Sequence, residues 1–494
     1  MPTHPPASPA RLPDRPALAS GAMLLVLTAL LAPSPAGAAA WCVTQQLDVR
    51  GELIAPAGRD VAPVTIPITV RGRFAFLESP VTSGSTGSVA TPDQLADGDA
   101  DTASEGSGTD RRPESLREYR EARVEIEAGE TRTATTLPED ARSLRVALVG
   151  TTPVPHLPAA LLARDEADLL DTPFDAALVD GLLPAEPVTT GSSWRVPGDL
   201  VAGLLAIDTV DTGSLEATLR SVEEGTAIVA LAGVVEGGVD GAPTHLIVSG
   251  SFTVAMPGET ATGAEAAVAL RGPVTSVAAV IRERRQASHV APGFEVEARV
   301  ALTRTAAADE PETAGGPAEA AAPSHRPPRR PTDPVTLVWS GDPQGGYDLA
   351  HYPGWREVES GAAGRTLRLV DHGTLLCQCS ITTRRSAEAG PPNAAVVAED
   401  VRRSLGSQFG RAVEASTTPR ADGMAGVRVV TAGTVDGVPF RWIHHVVAAP
   451  DGRRAELTFM LEEAAAGRFA DRDRPLVDRL AFRPGAPGPD GAEN

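Results

Sequence analysis

Between Phe294 and Thr303 the chain alternates without a break. Phe294, Val296, Ala298, Val300 and Leu302 fall on one side, and Glu295, Glu297, Arg299 and Thr303 on the other. A repeat of two residues is that of a strand with one dry and one wet face, and no amphipathic helix satisfies it. Strands of that kind belong to antiparallel sheets, because parallel sheets are covered on both faces. The pattern returns at Val64, Ile66, Ile68 and Val70, set against Thr65, Pro67 and Thr69. It returns again at Phe74 and Phe76, at Val124 and Ile126 between glutamates, and along the run from His245 to Met256. Residues 41–305 are therefore expected to form a mainly antiparallel β domain, a curved sheet or partial barrel. One short helix is expected over Leu200–Leu205, with Asp199 as its cap.

Arg11 and Arg15 precede an apolar run from Ala17 to Ala32, and small residues follow as far as Ala40. A basic start, a short apolar stretch and a small-residue cleavage site make residues 1–40 a secretory signal peptide. Export to the periplasm or the exterior is expected. The run is too short for a stable transmembrane helix, and no later stretch holds about eighteen apolar residues, so an integral membrane protein is not expected. A lipid anchor on Cys42 is disfavoured by the bulky Trp41 before it. Residues 80–113 have almost no large apolar side chain and read as a disordered insert. Asp97-Gly98-Asp99-Ala100-Asp101 inside it begins like a calcium loop. Thr102 then stands where the turn glycine belongs, and Gly108 where the bidentate glutamate belongs. Residues 306–333 are a Pro/Ala-rich linker, whose Arg326–Pro331 stretch should be extended and semi-rigid. Residues 484–494 are a polar, disordered tail.

From Pro334 the texture mixes strands with helical spacing. Strands are expected at Val335–Trp339, Arg365–Val370, Thr374–Thr382, Val427–Val435, Val438–Val447 and Arg454–Leu461. Helices are expected over Val396–Phe409, where Val397, Val401 and Leu405 stand four apart, and over Leu461–Leu480. The opening Tyr347-Asp348-Leu349-Ala350-His351-Tyr352-Pro353-Gly354-Trp355, the helix after Pro392, the hairpin around Gly437 and the helix before Leu480-Ala481-Phe482 resemble the PsbP-like fold family. The resemblance covers 334–483, about a third of the chain. It implies an antiparallel sheet with flanking helices, used for binding or assembly, and no catalytic residues. For the whole chain the expected class is α+β.

Chemistry is constrained mostly by what is missing. There is no lysine; all 44 basic residues are arginine. Walker-type phosphate loops, Schiff-base enzymes and protein kinases need that amine and are excluded. The net charge is -20, and the excess acid lies outside 335–482, where 18 acidic residues meet 17 arginines. An acidic surface repels phosphates, so a nucleic-acid partner is not expected. Asp211-Thr212-Gly213 matches the aspartic-protease tripeptide, but no second copy exists to complete a dyad; the bland alternative is a turn into Ser214-Leu215-Glu216. Cys377 and Cys379 share a strand face with Leu375 and Ile381 and read as buried free thiols, with His372 the sole local metal-ligand candidate. His444 and His445 point to opposite faces of a strand and cannot share an ion. Trp355 is either a core aromatic or an exposed anchor for a partner, and is expected in the core. No catalytic, cofactor-binding or metal residues are assigned, and no cofactor is expected. The expected function is a non-catalytic binding or assembly module for an unknown protein. One alternative is a carrier of an apolar small molecule, such as a lipid, in the N-terminal sheet; the other is an aspartic-type hydrolase using Asp211.

Overall fold

A computed structural model describes residues 40–55, 64–81, 114–256, 267–307, 326–330, 332–342, 346–361, 364–371, 374–385, 391–420 and 422–483. The expected signal peptide (but for Ala40), the body of the insert with its Asp97–Asp101 segment, residues 308–325 of the linker, His372 and the tail lie outside the described residues.

The first half supplies β1 (Trp41–Ala55), β2 (Val64–Pro80), β3 (Glu114–Ala128), β4 (Thr131–Thr136), β5 (Ser143–Val149) and β6 (Thr152–His156). A connecting segment follows, with β7 (Leu162–Ala163), α1 (Arg164–Leu170), β8 (Ser193–Arg195) and α2 (Gly198–Leu205). Then come β9 (Thr209–Glu223), β10 (Thr226–Val239), β11 (Ala242–Ala255), β12 (Val274–Arg285) and β13 (Gly293–Ala306). All of these strands except β7 join one 12-stranded sheet, in the order β6-β5-β3-β2-β1-β13-β12-β11-β10-β9-β8, with β4 beside β3. Glu224-Gly225 and Asp240-Gly241 turn the β9–β10 and β10–β11 hairpins, each with positive φ at both residues. Two-residue turns of that hand match the twist of the flanking strands.

Alternation decides what this sheet covers. Val229, Leu231 and Val235 of β10 and Leu246, Val248, Phe252 and Val254 of β11 face inward and are buried. On the outer face β1 shows Thr44, Gln46, Asp48 and Arg50 to water. The inner face is covered by the connecting segment, which contributes Leu169, Phe174, Val179, Leu182, Val201 and Leu204 to the same core. Helix α2 packs on both β6 and β9. A flat sheet of this order would hold those strands roughly 40 Å apart, whereas eight helical residues span about 12 Å. The sheet therefore curls until its two ends flank α2, and it stays open along that seam.

The remainder forms β14 (Val338–Asp342), β15 (Tyr347–His351), β16 (Trp355–Gly361), β17 (Gly364–Asp371), β18 (Thr374–Arg385), α3 (Ala394–Leu405) and β19 (Phe409–Pro419). It continues with β20 (Ala425–Val435), β21 (Val438–Ala448), β22 (Arg453–Glu462), α4 (Ala466–Phe469), α5 (Asp473–Asp478) and β23 (Leu480–Phe482). Seven of these strands make a sheet in the order β16-β17-β18-β22-β21-β20-β19. β23, β15 and β14 make a smaller one, which β7 extends in parallel by placing Leu162 opposite Val338. The two halves are tied in other ways. Leu161 clusters with Leu337 and Ala350. Arg356 Nε donates to Asp240 at 2.9 Å. Arg326 donates to both Asp140 and Glu166 at 2.6 Å, so this part of the expected linker is docked on the protein surface.

The α+β class is overturned. Of the described residues 62% lie in strands and 14% in helices, and the expected flanking helices are slight. The helix foreseen over Leu461–Leu480 is instead the end of β22, a 3-10 turn and two short pieces, α4 and α5. Ala470 takes φ +48 and stops α4. Pro475 lacks an N–H and would clash with the carbonyl of residue 471, so it fits only the first turn of a new helix. α3 is capped by the Asn393 side chain, which accepts from Ala395 N at 2.8 Å, and only Val401 among its residues is buried. Strand β19 was hidden from a period-two search because bulges interrupt its pairing with β20 at Gly410 and Val413.

Candidate functional site

The two ends of the large sheet are built differently. β6 carries Pro153 and Pro155, which have no N–H to offer, so that edge is blunted. β9 is covered by β8 only where Ser193, Trp194 and Arg195 pair with Thr218, Ala217 and Glu216. Val196-Pro197 then leads the chain into α2. Beyond that point residues 209–213 of β9 have no neighbouring strand on this side, among the described residues. A cleft of about 870 Å³ lies there, between the β5–β6 turn, α2 and the start of β9.

Asp171, Asp199, Asp208 and Asp211 all line it, with Arg195 as the one cationic wall residue. Asp199 is not the cap of α2, as the sequence suggested; Pro197 holds that position and Asp199 sits in the first turn. Asp211 is the extra residue of a β-bulge, since Thr212 pairs with Glu236 and Val210 with Gly237. A bulge re-aims the side chain it carries. Gly213 closes the bulge with φ +93, and a Cβ there would lie 2.1 Å from the Val234 carbonyl oxygen, so glycine is required. The tripeptide is thus explained by strand geometry, although Asp211 stands in a strand and not in the simple turn expected.

Charge is left over in the cleft. Among the described residues no arginine lies within ion-pair distance of Asp171, Asp199, Asp208 or Asp211. Asp208 accepts from the Asp240 amide at 2.6 Å. Asp171 opens onto the cleft, yet enough protein surrounds it that burial, followed by Asp168, Asp175 and Asp208, pushes its carboxyl up to about 6.

Directly behind the cleft most buried polar groups are matched, although Arg304 Nε has no hydrogen-bond partner among the described residues. Arg117 donates to Asp175 at 2.6 and 2.8 Å and to Glu78 at 2.9 Å, all buried. Burial alone would raise the Asp175 carboxyl, but Arg117 outweighs it and holds it below its ordinary value. Gln45 Nε2 donates to the Pro173 carbonyl at 2.8 Å, and Arg304 to Asp180 at 2.8 Å. These contacts fasten the connecting segment inside the sheet. The space left beside Arg117, Tyr119 and Asp175 is about 30 Å³, room for a water.

The other sequence candidates lie apart from the cleft. Trp355 is 3% exposed and packs edge-on against Phe459 and Phe469, with ring centres 5.9 and 6.5 Å away. Cys377 and Cys379 are buried in the same core, and burial pushes both thiols up, away from nucleophilic use. Leu376, not Leu375, joins them inside, because a bulge opposite Leu369 and Val370 shifts the register. Cys42 is a free, half-buried thiol. His445 Nε2 lies 2.7 Å from Asp473, while His444 contacts Thr458 on the other face at 3.2 Å. Burial would raise Asp473, but hydrogen bonds from His445 and Arg428 hold it below its ordinary value. Sequence reasoning missed Asp171 and Asp208 entirely. The acid excess of the N-terminal half was their only trace.

No protein-family model matches the sequence, and no curated protein matches it. Among solved structures, it is similar to cyanobacterial PsbP (CyanoP) from Synechocystis sp. PCC 6803, at 13% identity and a TM-score of 0.25, over 30% of this chain and 92% of that one. It is also similar to OprB of Pseudomonas putida, at 10% identity and a TM-score of 0.11, over 85% of this chain and 93% of that one. A third is the translocator domain of the autotransporter NalP from Neisseria meningitidis, at 7% identity and a TM-score of 0.12, over 86% and 89% of the two chains. Likenesses of this size carry no functional argument.

Proposed function

We propose that the chain is an exported, non-catalytic binding module that holds a positively charged partner in the seam cleft. The observation that carries this is the set of Asp171, Asp199, Asp208 and Asp211 around about 870 Å³ of open space, with no arginine paired to them among the described residues. Unpaired carboxylates in a concave site focus negative potential and attract cations. In this reading residues 41–305 and 334–483 act as two domains. The first carries the cleft; the second, PsbP-like in sequence, serves assembly.

Two other readings find less support. A lipid carrier needs an open apolar concave face, and here that face is filled by the connecting segment, with polar anchors behind it. An aspartic hydrolase needs a second carboxylate sharing a proton with Asp211. Asp211 stands exposed on a bulge, with no carboxylate hydrogen-bonded to it among the described residues.

The test is binding of a fluorescent Arg-Val-Arg-Val-Arg-Val-Arg peptide to the full chain, followed by anisotropy. Binding should weaken with salt and fall tenfold or more in the D199N/D208N/D211N variant, whose asparagines keep their hydrogen-bonding oxygens. Absence of salt-sensitive binding to the wild-type chain overturns the reading.

A further inference from the structure

The cleft has a second property that its charge does not explain: one of its walls is a strand edge. Residues 209–213 pair with β10 on one side only. On the cleft side the Gly213 carbonyl accepts from Arg195 at 2.9 Å, which shows that main-chain groups here face the opening. Arg195 stands where a neighbouring strand's donor would stand. The opposite edge of the sheet is blunted by two prolines, so the two ends of one sheet are treated unequally. Open edges are liabilities that folds usually cover, and one left uncovered inside a cleft is a template for an added strand.

Resting on the cation-site reading above, we infer that the occupant is an extended, arginine- or lysine-bearing segment of a partner protein, paired as an added strand along residues 209–213. Five residues of strand span about 16 Å, and the cleft's volume leaves room for side chains on both faces of such a segment. Charge selects the occupant. Asp211 lies on the strand edge itself, Asp208 lines the cleft just before that strand begins, and Asp199 lines it from α2, so cationic side chains on an incoming strand have carboxylates to meet. A free polyamine would satisfy the charge but leave the main-chain edge unpaired.

Two peptides with the same charge separate the possibilities. One is the Arg-Val heptapeptide, and the other is the same sequence with every backbone amide N-methylated. The methylated form keeps all four guanidinium groups and cannot donate to a strand edge. On the full chain the parent should bind at least tenfold more tightly than the methylated form. Hydrogen exchange of the 209–213 amides should slow when the parent saturates the cleft. Equal binding of the two peptides with unchanged exchange at 209–213 overturns strand pairing while leaving the cation site standing. Spermine displacing the parent peptide as effectively as unlabelled parent does the same. Failure of the parent peptide to bind at all overturns both.

Discussion

The large sheet covers its apolar face with a long connecting segment fastened by ion pairs beside an open cleft, whereas the seven-stranded sheet is closed by short helices over aromatic rings, with Asp473 of α5 held by Arg428 and His445. Arg117, Asp175 and Glu78 do the fastening in the first; Trp355, Phe459 and Phe469 fill the second. The difference has a structural cause. The large sheet curls around a helix and remains open at α2, so its interior lies close to water and can place charge at the boundary. The C-terminal core lies under α4, α5 and β23 with its apolar residues packed together. The open end of a sheet is where a binding cleft costs least, because main-chain groups there already lack partners.

The contrast breaks most visibly at Trp355. Trp355→Ala should lower the stability of the full chain by about 3–5 kcal/mol, as large-to-small changes of an aromatic core residue do. Chemical denaturation followed by far-UV circular dichroism reads this out, and an unchanged transition would remove Trp355 from the core. Arg117→Met should come close in size, about 3–5 kcal/mol, because it leaves Asp175 and Glu78 buried without their cation. The two variants should differ in cleft binding. Arg117→Met loosens the segment that carries Asp171 and should weaken peptide affinity, whereas Trp355→Ala should leave affinity intact under native conditions. Equal effects on binding would erase the distinction between the two cores.

The smallest effect is the sharpest in sign. The folded Asp171 carboxyl is pushed up to about 6, above its unfolded value near 4. A raised pKa favours folding while the group is protonated, so its contribution is full below about pH 4 and is lost as pH rises through about 6. Asp171→Asn should therefore match wild type at pH 4 and exceed it modestly in melting temperature at pH 8. Asp168, Asp175 and Asp208 are the carboxylates facing this group, with Arg164 the opposing cation. A variant less stable than wild type at pH 8 would show that Asp171 is already compensated.

Much of the β pattern was legible because it is local. Phe294–Leu302 and His245–Met256 alternate, and β13 and β11 lie where they do. The hairpin at Asp436-Gly437 was equally plain, since both residues take positive φ. The C-terminal helices were misjudged because Leu461–Leu480 has helical composition, while Ala470 and Pro475 break it at points that pattern counting overlooks. The cleft was almost invisible. Asp211 and Asp199 stood out for other reasons, one as a protease tripeptide and one as a cap. Asp171 and Asp208 gave no signal, because what unites the four is the curl of the whole sheet, and curl is a sum of long-range pairings.

One of those pairings bears on how the molecule comes into being. β1 joins β13 from Trp41–Ala306 to Ile54–Gly293, and this ladder connects the β6-side strands to the β9-side strands. Its partners are about 250 residues apart in sequence, so a long chain must be immobilised before a single bond of the ladder forms. Contacts of such high order slow folding. The first strand must therefore wait, with one edge unpaired and Val43, Leu47 and Val49 on one face, until residues as far as Ala306 have been made. A protein assembled in this way depends on being kept from aggregating during that interval, and its yield should respond to chaperone supply more than to any substitution in the cleft.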